Sequence, residues 1–139
     1  VGEKYLDKYF YTIKNSLKLN GTAAIQGITI RDDLFERYRS SEDFIQKYIF
    51  PGGFLPSIHF MKNLMKKNKL NLLKINSYPD DYAKTLNVWR ENFFKTWGNI
   101  TPLGFDETFK RMWEFYLSYC EAGFKARNIN LIQCSMSNK

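Results

Sequence analysis

The sequence predicts an α/β layered fold, three strands with flanking helices, on three observations. The run Thr22-Ala-Ala-Ile-Gln-Gly-Ile-Thr-Ile30 is short, apolar and β-branched, as expected for a strand covered on both faces in a parallel sheet with a neighbour on each side. Two further short runs, 70–77 and 128–136, read as strands. Between and before them the apolar residues recur every three or four positions, the period of helices that bury one face.

In chain order, Leu6, Phe10, Ile13 and Leu17 share one face of a helix over 3–17, which Leu19-Asn20-Gly21 stops. The polar segment 31–39 reads as a connection. Ser40 followed by Asp43 has the spacing of a capping box for a short helix through Phe44 and Tyr48. Lys47-Tyr-Ile-Phe-Pro-Gly-Gly-Phe-Leu-Pro-Ser57 then holds two of the four prolines and two of the eight glycines, with Ile49, Phe50, Phe54 and Leu55 among them. A solvated turn does not carry such groups, so this stretch is either a connection buried on its own domain or the wall of an apolar site. Ser57 can cap a helix with Ile58, Met61, Leu64 and Met65 inside. Its other face bears Lys62, Lys66 and Lys67, solvated or set against a membrane surface. Pro79-Asp80-Asp81 opens a long helix with Tyr82, Leu86, Trp89, Phe93 and Trp97 on one stripe. After a break over 98–104, a second long helix carries Phe109, Met112, Trp113, Tyr116, Tyr119, Cys120 and Phe124.

With 139 residues and no shift in composition, one domain or part of one is expected. Twelve Phe, nine Tyr and three Trp suit a heavy core or an apolar ligand site, and a net charge of +7 suits an anionic partner. Nucleic acid is disfavoured, because lysines and aromatics are not interleaved as one stacking surface. The two cysteines lie 14 positions apart with a single histidine in the chain, His59, so no metal site is expected. No signal-like segment and no run of ~20 apolar residues is present, which suggests a cytoplasmic protein with reduced thiols. The first strand lacks a partner for its other edge, and no Gly-x-Gly loop follows a strand. Both observations suggest the C-terminal half of a larger doubly wound domain.

Several ordered motifs then agree with a known family. Val1-Gly2 with the Tyr- and Phe-bearing helix, Leu19-Asn-Gly21 before an apolar strand, Tyr48-Ile-Phe-Pro-Gly-Gly with Leu55-Pro56-Ser57, Asp81-Tyr82 followed by Thr85-Leu86 and Trp89, Phe109-Lys-Arg-Met112, and Tyr116-Leu117 with Cys120 together resemble cyclopropane-fatty-acyl-phospholipid synthases and their mycolic-acid relatives. The resemblance runs across essentially the whole chain. It implies that residues 1–139 are the C-terminal part of a single Rossmann-like methyltransferase domain dependent on S-adenosylmethionine, with the cofactor-loop half upstream of Val1 and this piece inactive alone. The implied reaction is methyl transfer to the cis double bond of an unsaturated phospholipid acyl chain, with proton loss to a bound bicarbonate and closure of a cyclopropane ring. It would take place at an anionic bacterial membrane, with the enzyme held peripherally on the inner face; a homo-oligomer is left open.

By the same resemblance, Tyr82 is catalytic and binds bicarbonate together with the N–H of Ile28. Gln26 stands where many relatives carry the histidine of that site, and it can exchange hydrogen bonds but cannot become cationic. The family's glutamate and cysteine ligands would fall upstream of Val1. Phe50, Leu55, Leu86 and Cys120 match positions lining the acyl tunnel. Two other readings remain: C-methylation of a different lipid, and a non-catalytic lipid-binding module.

Overall fold

The computed structural model describes residues 2–138, which divide into two compact units. The first runs through Tyr78 and resumes at Ile129; the second is Pro79–Asn128.

The first unit comprises helix α1 (Glu3–Ser16), strand β1 (Thr22–Ile30), the short helices α2 (Phe35–Arg39) and α3 (Phe44–Tyr48), helix α4 (Ile58–Lys67), strand β2 (Leu70–Ser77) and strand β3 (Ile129–Asn138). The sheet order is β1-β3-β2, and β3 runs antiparallel to both neighbours. The neighbour that β1 finds among the described residues is therefore antiparallel, where a parallel one was expected. β1 and β2 point the same way, with β3 between them. Thr22, Ala24 and Gln26 are exposed while Ala23 and Ile25 turn toward the core, the alternation of a strand with one covered face.

The core lies between that face and helices α1 and α4. Phe10, Met61, Met65, Leu70, Ile132, Cys134 and Met136 form it, with Ile13 and Leu17 packed against them. The helical spacings of α1 and α4 thus find the partner they require. Ser57 caps α4 by accepting from the Phe60 N–H at 3.2 Å.

The segment 31–39 is not a plain connection. A 3-10 turn at Asp32–Leu34 leads into α2, because Phe35 buries its ring against Phe54 and Phe60. The cap of α3 also falls three residues later than expected. Asp43 accepts from the Gln46 N–H at 2.8 Å while Gln46 Oε1 accepts from the Asp43 N–H at 3.0 Å, and Ser40 instead donates to the Arg37 carbonyl.

After α3 the chain makes a type II turn. The Gly53 N–H donates to the Phe50 carbonyl at 2.8 Å, Pro51 supplies the fixed φ, and Gly52 sits at φ +77°. A Cβ on Gly53 would lie 2.9 Å from the Phe50 carbonyl oxygen, so a second glycine is required. Gln46 Nε2 donates to the Gly53 carbonyl, and the Leu55 N–H donates to the Tyr38 hydroxyl at 3.1 Å. Phe54 packs among Phe35, Tyr38 and Phe60, so for this residue the stretch is a connection buried on its own unit.

The second unit contains helices α5 (Pro79–Lys95), α6 (Trp97–Ile100) and α7 (Glu107–Lys125). Tyr82 meets Phe124 at one end and Phe93 meets Phe109 at the other, so α5 and α7 run antiparallel. Trp97 lies beyond the end of α5, and the expected break over 98–104 contains most of α6 and a 3-10 turn at Thr101–Leu103. Gly104 then reverses the chain at φ +97°.

Candidate active site

The chemically informative cluster of the second unit sits where α5 and α7 meet. Pro79 and the carboxylates of Asp80 and Asp81 start α5, placing Tyr82 in its first turn. From α7, spacing of four residues brings Tyr116, Cys120 and Phe124 onto one face. The Tyr82 ring makes an edge contact with Phe124 at 4.9 Å and with Trp89 at 6.1 Å. Burial raises the pKa of the Tyr82 hydroxyl, and the neighbouring Cys120 adds to the rise. The Tyr116 hydroxyl is pushed up to about 12, first by burial, then by Cys120 and Tyr82, with a hydrogen bond to Cys120 contributing. Both phenols therefore stay neutral through the physiological range and remain O–H donors. Leu86, one helical turn from Tyr82, is buried, as is Cys120.

An aromatic seam continues along the same hairpin. Trp113 lies 4.9 Å from Tyr116 and stacks on Phe109, which in turn meets Phe93 and Phe105. Beside the seam, the buried Glu121 carboxylate accepts from Lys125 Nζ at 2.5 Å and pairs with Arg90 at 3.2 Å. Arg90 reaches across from α5 and also donates to Ser118 Oγ and Asn87 Oδ1.

In the first unit, Ile28 and Gln26 lie on β1. The Ile30 N–H donates to the Pro56 carbonyl at 3.1 Å, and Pro56–Ser57 lies on the side away from β3. N–H groups of alternate residues point the same way along a strand, so that of Ile28 faces the edge of β1 opposite β3. A backbone donor directed out of the ladder is what an anion ligand from this strand requires. The Gln26 amide oxygen is engaged, accepting from Gln133 Nε2 at 3.0 Å. Leu55 is partly buried, whereas Phe50 is 55% exposed.

Tyr82, Leu86 and Cys120 are thus brought together within the second unit; Ile28, Gln26, Phe50 and Leu55 belong to the first. Sequence reasoning omitted Tyr116, Arg90 and Glu121 from the site. The four-residue step from Tyr116 to Cys120 was the available signal for the first. Nothing in the local sequence announces that Arg90 and Glu121 pair. Among the described residues no group of side chains could hold a metal ion, and no helix is long and apolar enough to cross a membrane.

The fold is that of S-adenosylmethionine-dependent methyltransferases. The mycolic acid cyclopropane synthase CmaA1, solved in complex with SAH and CTAB, superposes over 98% of this chain and 50% of its own, with a TM-score of 0.86 and 25% identity. The family described as mycolic acid cyclopropane synthetase matches residues 1–134, and the chain belongs to that family. The tuberculostearic acid methyltransferase UfaA1 of Mycobacterium tuberculosis is 37% identical over 98% of this chain. The cyclopropane-fatty-acyl-phospholipid synthase of Escherichia coli K12 is 33% identical over 99% of it. The chain spans 32% and 34% of the lengths of those two proteins.

Proposed function

We infer that this chain is the C-terminal part of a methyltransferase domain that adds a methylene to the cis double bond of an unsaturated phospholipid acyl chain, forming a cyclopropane ring. The observation that supports this most is the family match across residues 1–134, which includes the Tyr82, Leu86 and Cys120 positions. S-adenosylmethionine, when bound, supplies the methyl group from its sulfonium, and bicarbonate supplies a base for the departing proton. No residue of this chain is assigned to the methyl donor.

Tyr82 is assigned as a bicarbonate ligand, its neutral hydroxyl donating to the anion; a tyrosinate could not. The N–H of Ile28 is assigned as a second donor, on the geometry of β1. Gln26 can assist only through its amide N–H groups, since its oxygen is engaged by Gln133. Leu86, Cys120, Phe50 and Leu55 are assigned to the acyl chain on the family pattern; in this structure Leu86 and Cys120 are buried. Ring faces of the Tyr82–Tyr116 group can stabilise a transient carbocation by about 1–2 kcal/mol each once water is excluded.

The test is to incubate the full-length protein with S-adenosylmethionine and an unsaturated phospholipid. An acyl product heavier by one methylene, with cyclopropane ring protons by NMR, is expected; no added carbon overturns the reading. The identity to a protein named as a tuberculostearic acid methyltransferase favours a second outcome, a branch in place of a ring. Hydrogen count and position of the new carbon separate the two.

A further inference from the structure

The α4–β2 side of the first unit carries a charge arrangement that the proposed chemistry does not use. Lys62, Lys66 and Lys69 line an open cavity of about 620 Å³ together with Met65, Leu70 and Leu72. No carboxylate lines it, and none of the three ammonium groups has an ion pair or hydrogen bond among the described residues. Lys67, on the same helix, is different: its Nζ lies 2.6 Å from Asp7, whose pKa is lowered mainly by that hydrogen bond.

Two features of the backbone sharpen the pattern. Lys69 ends the turn after α4 at φ +56°, a conformation in which Gly or Asn is less costly. A lysine there retains a charge against the backbone's preference. The register of β2 with β3 shifts between Leu72 and Lys74, leaving Leu73 unpaired and 53% exposed on a strand with a single ladder. The cavity has no aromatic ring or arginine on which a base could stack, which disfavours nucleic acid.

We propose that this face docks on an anionic lipid bilayer, with Lys62, Lys66 and Lys69 on headgroup phosphates. The biological meaning rests on the acyl-lipid function above, but the binding can be read without any chemistry. Full-length protein is sedimented with phosphatidylcholine vesicles containing or lacking phosphatidylglycerol. Replacing all three lysines (Lys62→Gln, Lys66→Gln, Lys69→Gly) is expected to weaken binding to the anionic vesicles on the order of a hundredfold, each lysine contributing about fivefold. Lys69→Gly alone is expected to bind several-fold more weakly while its Tm equals or exceeds that of the wild type, which separates docking from folding. Lys67→Gln serves as the control and should bind as the wild type does.

Wild-type affinity in the folded triple variant overturns the proposal. So does an equal loss on both vesicle types, or lysine-dependent binding of an oligonucleotide with vesicle binding unchanged. If the wild type adds no carbon to detergent-dispersed lipid, the catalytic reading fails and the sedimentation result still decides the docking face.

Discussion

Tyr82 and Tyr116 illustrate how burial fixes protonation at the scale of a residue. Removing the Tyr82 hydroxyl deletes one donor to the proposed anion, so Tyr82→Phe in the full-length enzyme should lower kcat on the order of a hundredfold, the effect of losing one preorganised donor. Calorimetric affinity for S-adenosylmethionine should be unchanged; wild-type turnover would overturn the proposed role of Tyr82. Tyr116 has a folded pKa of about 12 against 10.0 ordinarily. Between those values the folded state holds a proton that the unfolded chain has released, so stability is unaffected below pH 10 and falls as pH rises toward 12. Tyr116→Phe should flatten that part of the Tm-against-pH curve, and an unchanged slope would show that the phenol is not buried as described. Gly52 gives a purely conformational case. A Cβ there meets nothing within 4 Å, so Gly52→Ala should cost only the dihedral energy of φ +77°, about 1–2 kcal/mol in urea unfolding.

At the scale of elements, the α5–α7 hairpin depends on a charge pair that its own sequence does not announce. Glu121 is 7% exposed and is met by Arg90 from the opposite helix and Lys125 from its own. Glu121→Ala would strand Arg90 against Ser118 and Asn87 and should destabilise the second unit by about 3 kcal/mol, more than Glu121→Gln, which keeps an acceptor. Equal losses in the two variants would mean that packing, and not the pair, holds the helices. Helix faces were legible because periodicity is local: Leu6 and Phe10, Met61 and Met65, and Leu86 are all buried as their spacing implies. The direction of β1 was not, since its partner β3 is roughly a hundred residues away and Ala and Gly in the strand blur the alternation that marks one covered face. The Ser40 cap failed for a related reason. Two residues of similar capping propensity lie three apart, and the reciprocal bond to Gln46 selects Asp43. The proposed site rests chiefly on motif order. The neighbours Tyr116, Arg90 and Glu121 emerge only when the two helices are laid together.

For the whole molecule, Leu55 allows a test of the proposed contact with the acyl chain. Leu55→Glu would put a charge at a partly buried apolar position and should impair lipid turnover much more than S-adenosylmethionine affinity. Comparable losses of both would point to a folding defect in the first unit. The division into two units also gives the buried thiols a use. Cys134 lies in the core of one and is 1% exposed, its pKa raised by burial; Cys120 lies in the other and is 8% exposed. A thiol shielded in this way reacts with an alkylating reagent only during openings that expose it. Each cysteine is therefore a chemical clock for its own unit. Peptide-resolved alkylation rates will show whether the sheet and the helical hairpin open together as one cooperative body, with matching rates, or on separate schedules.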